Sequence, residues 1–194
     1  MTDVSETDGR TMNYGKEQVA VYRTFGTPLE GVRTIPESQF TGRDNTIFGA
    51  EVRVQVEGEA FLPSFSEGDN SMVVPTDTMK NFIHQQLGEY DGATLEGFLY
   101  FVGARFLEQY SQMDSIRVSA EELPFEERPV PGEDGFESSK LVFRVADSES
   151  GFGEVALDRG DDDPVIKEHT SGVTGIELVK VKDNSFVGYV QDEY

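Results

Sequence analysis

The spacing of apolar residues changes along this chain, and that change restricts the fold more than any other feature. In residues 46–62 apolar side chains occupy every second position, at Val52, Val54 and Val56. Alternation of this kind is typical of a β-strand with one buried face. Residues 14–25 alternate in a similar way and predict an earlier strand.

Two stripes with helical spacing follow the predicted strands. Their members are Met79, Phe82, Ile83 and Leu87 in the first stripe and Leu95, Phe98, Leu99, Val102 and Phe106 in the second. Side chains that recur at every third or fourth position share one face of an α-helix. We therefore expect two consecutive amphipathic helices, the first of which ends at Gly88.

Alternation then returns and completes the pattern. It runs through Ile116, Val118 and Ala120 and, after a loop with Pro and Gly, through Leu141, Phe143, Val145 and the GEVAL segment near residue 155. The order strand-strand-helix-helix-strand-strand predicts an α+β architecture. In it, a four-stranded antiparallel sheet carries two helices on one face.

The two ends of the chain and one internal segment stand apart from this pattern. Residues 1–12 are polar and are expected to form a flexible tail, and residues 159–171 are expected to form an acidic linker loop. Residues 172–194 contain two short apolar runs joined by Lys-Asp-Asn-Ser, which indicates a hairpin. A hairpin alone is only marginally stable, so this one is expected to pair with further sheet.

The charge of the chain excludes several classes of partner. It has 37 Asp and Glu residues against 16 Lys and Arg residues, a formal net charge of −21 at pH 7. The negative electrostatic field of such a chain repels nucleic acid and anionic membranes, so neither is expected as a partner. The acidic residues are dispersed, which suits high salt, where screening quenches self-repulsion. We therefore predict a halophilic source.

The residue types also limit the chemistry and the compartment. There is no cysteine, which excludes disulfides, thiolate zinc sites and thiol nucleophiles. The opening MTDVSETDGR lacks the features of a signal peptide, and no apolar run has the length of a membrane span. We expect a soluble, cytoplasmic protein.

Motifs for metal or nucleotide chemistry are missing from the sequence. The histidines are His84, on a predicted helix, and His169, in a predicted loop, and their spacing is not that of a zinc site. The segment DRGDDD lacks the residue order of a calcium loop and favours a solvated acidic loop. Gly-rich phosphate loops and the G-x-S-x-G motif are also absent, and nothing favours a Ser-His-Asp triad.

The segment GDNSMVVPTDTMKN, residues 68–81, combines two hydroxyls and a carboxylate at the start of the first predicted helix. Pro75 restricts Val74 to an extended conformation, so that the preceding strand ends there. The side chain of Thr76 or Asp77 is expected to cap the helix, since a cap oxygen accepts a hydrogen bond from a free first-turn amide. Capping needs only one side-chain oxygen, and three such side chains are present here. A binding site is therefore the alternative to capping. The free amides of a helix N-terminus can also bind an anion.

Lys16, in the YGK segment that begins the first strand, allows two interpretations. A solvated lysine at a strand end is the usual one. It becomes a candidate base only if burial favours its uncharged form.

Several segments resemble uricase (urate oxidase), most closely the bacterial type. In the family's order they are YGK at 14–16, GVRTIPESQFTGRDNTIFG at 31–49, GDNSMVVPTDTMKNFI at 68–83, LEGFLYFVGARFLEQY at 95–110 and NSFVGYVQDEY at 184–194. The resemblance runs from about residue 14 to the last residue. It is specific because the segment from Asp69 to Asn81 is long and distinctive.

The resemblance implies a fold, a reaction and an assembly. The family has the tunnelling fold (T-fold), an antiparallel four-stranded sheet with two helices on one face, used as two modules per chain and closed into a barrel by oligomerisation. Residues 13–158 then form the first module, and residues 172–194 the first hairpin of an incomplete second module. The implied reaction is oxidation of urate by O2 to 5-hydroxyisourate and H2O2, without metal or organic cofactor. The implied assembly is a homotetramer with active sites between subunits.

The resemblance also implies roles for individual residues. Lys16 and Thr76 match the lysine and threonine of the family's proton-relay pair, Asp77 matches a substrate-side aspartate, and Phe186 matches the phenylalanine that stacks on the purine ring. The family's threonine and aspartate reach the site from a neighbouring subunit. Pro75 stands where the family usually has alanine, and Gln191 stands where the family often has arginine. The arginine that grips urate, its glutamine partner, and an asparagine and a histidine near the oxygen site lie in family segments that follow the DEY at the end of this sequence.

Two alternatives stay open beside this interpretation. One is a non-catalytic protein of the same fold, a purine binder or assembly scaffold. The other is a pterin-type enzyme of the same fold, which usually has Cys or His zinc ligands that this chain does not supply.

Overall fold

The computed structural model describes residues 12–36, 39–132, 135–145, 149–177, 179, 181, 188, 190 and 192–193. The predicted tail of residues 1–12 lies outside this part except for Met12. Of the predicted hairpin of residues 172–194, residues 178, 180, 182–187, 189, 191 and 194 also lie outside it, so the tail, the hairpin and the second module stay predictions.

Strands and helices follow the predicted order with additions. The strands are β1 (Asn13–Thr24), β2 (Ile47–Glu57), β3 (Ser115–Glu122), β4 (Phe125–Gly132), β5 (Gly135–Val145), β6 (Ser150–Asp158) and β7 (Val165–Thr174). The helices are α1 (Leu62–Ser66), which follows a 3-10 turn at Glu59–Phe61, α2 (Thr76–Glu89) and α3 (Leu95–Gln109).

In the described residues, β1, β2, β3, β6 and β7 lie side by side in that order and pair antiparallel. The helix α2 packs on β1, and α3 packs on β3 and β6. Val54 lies opposite Val118 in the sheet, and both are fully buried under the helices. The mixed α+β class and the placement of both helices on one face are therefore confirmed.

The apolar stripes that predicted these elements form the core. Val52, Val54 and Val56 of β2 are fully buried, as are Phe98, Leu99, Val102 and Phe106 of α3. Burial of side chains this large contributes about 1.5–3 kcal/mol each relative to exposure. The periodicity could be read locally because each element buries one face only.

Within residues 13–158 the main sheet has the four predicted strands, β1, β2, β3 and β6, and in the described residues β7 extends it to five strands where a linker loop was predicted. The added strand, β7, takes up the second half of the predicted linker loop of residues 159–171 and includes His169, which lies opposite Val155 of β6. All ten residues of β7 are exposed. Because neither face is buried, no hydrophobic pattern marks this strand, and main-chain pairing to β6 holds it.

The hairpin of β4 and β5 is a second departure from the prediction. Leu141, Phe143 and Val145 do form a strand, but it pairs with β4 in a separate two-stranded sheet and does not continue into β6. The side chain of Leu141 is 89% exposed. Pro129 and Pro131 in β4 have no N–H to donate, which keeps this hairpin out of the interior of a sheet.

Two predicted boundaries also shift. The strand predicted over residues 46–62 ends at Glu57, because the 3-10 turn and α1 follow. The helix α2 passes through Gly88 and ends at Glu89. Gly88 has a helical, negative φ and no heavy atom near its missing Cβ, so the backbone continues without obstruction.

The face of the main sheet opposite the helices is polar. It carries Glu17, Arg53, Arg117 and Glu154, with an ion pair between Arg117 and Glu154. A recess of about 580 Å³ lies on this face. In the part of the chain that the structure describes, no helix is long and apolar enough to cross a membrane.

Candidate functional site

The candidate site begins where α2 starts. Val74 is buried, and Pro75 occupies the N-cap position with φ −57° and ψ 138°, an extended conformation. The Met79 N–H donates to the Pro75 carbonyl at 3.1 Å, which is the first hydrogen bond of the helix. Residues 71–75 form a turn and irregular chain, so the strand predicted before Pro75 is not present.

The predicted capping role of Thr76 or Asp77 is wrong. A cap side chain must belong to the N-cap residue, and that residue is proline, so no side chain caps α2. Thr76 and Asp77 stand one and two positions inside the helix and are exposed. The Asp77 carboxylate lies 3.6 Å from Lys80 Nζ, a solvent-exposed ion pair. The Thr76 hydroxyl and most of the Asp77 carboxylate are therefore free to contact a ligand.

Lys16 lies in β1, opposite Val54 of β2. Residues directly opposite each other in an antiparallel pair share a face, so Lys16 leaves the sheet on the side of the helices. It is half-buried there. Sequence reasoning placed Lys16 at the start of the first strand but did not indicate which face it occupies.

A β-bulge follows Lys16 immediately. Glu17 and Gln18 stand together opposite Arg53, and Gln18 has a φ of 58°, in the left-handed region. The extra residue returns Val19 to the buried face, which strict alternation from Lys16 would have turned outward. Such bulges re-aim neighbouring side chains, and this one lies directly beside the candidate base.

Tyr14 connects the two parts of the site, and sequence reasoning missed it. The Val74 N–H donates to the Tyr14 hydroxyl oxygen at 2.9 Å. Tyr14 precedes Lys16 by two residues, and Val74 precedes Thr76 by two residues. Burial raises the pKa of the Tyr14 hydroxyl, with a smaller opposing effect of the Val74 hydrogen bond. The available signal was its position in YGK, on the same face as Lys16.

The predicted site residues are therefore partly brought together. A direct contact ties the strand of Lys16 to the helix start of Thr76 and Asp77. Within the described ranges, no hydrogen bond or ion pair joins Lys16 to Thr76. Phe186 lies outside the described residues, and its stacking role stays a prediction.

Both the sequence and the fold of this chain are similar to those of known proteins. The sequence model of the uricase family matches residues 12–155. The chain is 69% identical over 183 residues to a uricase of Halalkalicoccus jeotgali, covering 94% of this chain and 60% of that protein. It is also 69% identical over 185 residues to a uricase of Haloferax volcanii, with the same coverage.

The fold is similar to that of solved uricases. The crystal structure of a uricase from Bacillus fastidious superposes with a TM-score of 0.86 at 47% identity, over 95% of this chain and 59% of that chain. This chain thus spans about 60% of the length of the curated relatives that it matches first.

Proposed function

Because this chain belongs to the uricase family, we propose that it supplies part of a urate oxidase, which converts urate, O2 and water to 5-hydroxyisourate and H2O2. The observation that carries the proposal is the start of α2, where Thr76 and Asp77 are exposed and make no cap bond while a contact holds their segment to the strand of Lys16. The similarity to two haloarchaeal uricases over nearly all of this chain supports it.

The proposed mechanism is a proton relay followed by electron transfer. The Lys16 amine, in its uncharged form, accepts the proton of the Thr76 hydroxyl, and the Thr76 oxygen takes a proton from urate. Deprotonated urate gives two electrons to O2, which leaves as H2O2, and the oxidised purine gains a hydroxyl from water. Asp77 contacts the substrate, and Phe186 stacks on its ring. The proposed reaction uses no metal or organic cofactor.

We further propose that the chain works as a homotetramer with sites between subunits. Each of β1 and β7 pairs with only one strand of the described sheet, so both leave an open edge. Open edges of this length are normally paired or covered. Light scattering at molar KCl is expected to give the tetramer mass, and a monomer would refute this assembly.

Urate consumption, followed by its ultraviolet absorbance together with H2O2 release, tests the proposed function. The assay uses the 194-residue chain and a chimera in which it replaces the matching part of the Haloferax volcanii uricase. Turnover by either preparation supports the proposal. Folded protein that consumes no urate in both preparations contradicts it. We place the reaction in the cytoplasm as part of the same proposal, and cell fractionation tests that location.

Stability is expected to rise with salt. Raising KCl from about 0.1 M to about 1 M shortens the Debye length from about 10 Å to about 3 Å. Repulsion within a surface of net charge −21 then weakens, and the midpoint of urea unfolding should increase.

A charge-reduced variant provides the control for this expectation. Asp161, Asp162 and Asp163 are exposed neighbours in the turn before β7. Replacing all three with asparagine should make unfolding less dependent on salt. A wild-type midpoint that does not rise with KCl would contradict the halophilic interpretation.

A further inference from the structure

We propose that Tyr14 is a positioning residue, whose hydroxyl holds the start of α2 against β1 and so sets Thr76 relative to Lys16. This inference deepens the proposed function and rests on it for its catalytic meaning. In this proposal Tyr14 acts by holding the segment of Thr76 and not by binding urate.

The contact lies where the chain has few other anchors. Val74 is 5% exposed, and its N–H donates to the Tyr14 hydroxyl oxygen at 2.9 Å. The next residue, Pro75, has no N–H to donate. The N–H groups of the first helical turn, from Thr76 on, have no partner within the helix. Further back, the Val73 N–H donates to the Asn70 carbonyl at 3.0 Å and Gln112 Nε2 donates to the Met72 carbonyl at 3.2 Å. The bond from Val74 is therefore the main-chain anchor nearest to Thr76.

Tyr14 is itself held rigidly. Its ring meets the ring of Phe61 edge-on, with centroids 5.0 Å apart, and Phe61 is 1% exposed. Its main chain lies opposite Val56, in the second residue pair of the β1–β2 ladder. Because both its ring and its main chain are held, Tyr14 keeps the start of α2 at a fixed position relative to β1. Lys16 leaves β1 on the same face two residues later.

The alternative is that Tyr14 stabilises the fold without any specific effect on the site. Tyr90 offers a matched comparison, because its hydroxyl donates to the Thr94 carbonyl at 2.9 Å just beyond the other end of α2. Its ring also packs on two aromatic rings, those of Phe98 and Phe101. Tyr90→Phe thus removes a tyrosine-to-main-chain hydrogen bond of the same length far from Thr76, although the Tyr90 hydroxyl donates where the Tyr14 hydroxyl accepts.

Tyr14→Phe and Tyr90→Phe are compared first by kinetics, in the preparation that turns over urate. Misplacement of reacting groups by a fraction of an ångström lowers turnover on the order of ten- to a hundredfold. We expect that loss in kcat for Tyr14→Phe, with KM for urate changed less than about twofold, because Tyr14 does not contact urate. Tyr90→Phe should keep the wild-type kcat at a similar loss of Tm. Equal kcat values for the two variants would overturn the inference.

Amide hydrogen exchange tests the same inference without relying on activity. The Met79 N–H, bonded to the Pro75 carbonyl, reports whether the first turn of α2 is held. Its exchange should accelerate in Tyr14→Phe and stay near wild type in Tyr90→Phe. If the protein consumes no urate, the proposed function fails, and this measurement still decides whether Tyr14 holds the helix start. Unchanged Met79 exchange in Tyr14→Phe would overturn that claim.

Discussion

Replacing Thr76 with valine, or Lys16 with methionine, is expected to lower kcat for urate oxidation by about 10²–10⁴-fold, the usual contribution of a positioned proton-transfer group. Valine keeps the shape of threonine because a methyl group replaces the hydroxyl, and methionine keeps most of the length of the lysine side chain without the amine. Thr76 is exposed and makes no cap bond, so Thr76→Val should change the free energy of unfolding by less than about 0.5 kcal/mol. A loss of turnover would then reflect the missing proton-transfer group and not a loss of folded protein.

Two further variants sharpen this test. Thr78 is the second hydroxyl of Thr-Asp-Thr and is also exposed, so Thr78→Val should retain nearly full turnover. The double variant of Lys16 and Thr76 should lose no more than the worse single variant, because two groups of one relay act as a unit. Near-normal turnover in either single variant would remove that residue from the proposed relay.

Replacing Gly15 with alanine is expected to cost at least about 1–3 kcal/mol of stability, as overpacking does. A Cβ at Gly15 would lie 1.9 Å from the Val54 carbonyl oxygen and 2.9 Å from the Gln55 Cα. These are main-chain atoms of β2 and cannot rotate away, so β1 and β2 must separate locally. Gly15 lies between Tyr14 and Lys16, and turnover should fall as well.

Urea unfolding at molar KCl measures this loss, and Gly88 provides the matched control. Apart from the neighbouring backbone of its own helix, no heavy atom lies within 4 Å of a Cβ built at Gly88, which is exposed in α2. Gly88→Ala should therefore stabilise the protein by about 0.5–1 kcal/mol, because alanine loses less backbone entropy in a helix. A Gly15→Ala protein as stable as wild type would show that the β1–β2 ladder adjusts without cost.

Much of the fold could be predicted from the sequence because its elements bury a single face. The helical stripes at Met79–Leu87 and Leu95–Phe106 and the alternation at Val52–Val56 and Ile116–Ala120 each report burial directly. The confirmed α+β class and the family follow from these stripes and from the segments that resemble uricase. For the candidate site, the sequence indicated the residue types at Lys16, Thr76 and Asp77, and their roles await the experiments above.

The remaining features depend on contacts that leave no local pattern. The strand β7 is exposed throughout and is held by main-chain bonds to β6. The hairpin of β4 and β5 alternates like a half-buried strand although Leu141 points into solvent. The N-cap position is Pro75 because the helix begins at Thr76 itself, so the Thr76 hydroxyl lies one residue too late in the chain to cap it.

The arrangement of the site also depends on contacts that leave no local sequence pattern. The bulge at Gln18 decides which face Val19 occupies, and its register arises only when β1 pairs with β2. The bond between Tyr14 and Val74 joins residues 60 positions apart. Propensity and periodicity act over a few residues, whereas these contacts form only when distant segments pack together. Residue chemistry could therefore be read along the chain, while the contact that ties the strand of Lys16 to the segment ahead of α2 required the folded structure.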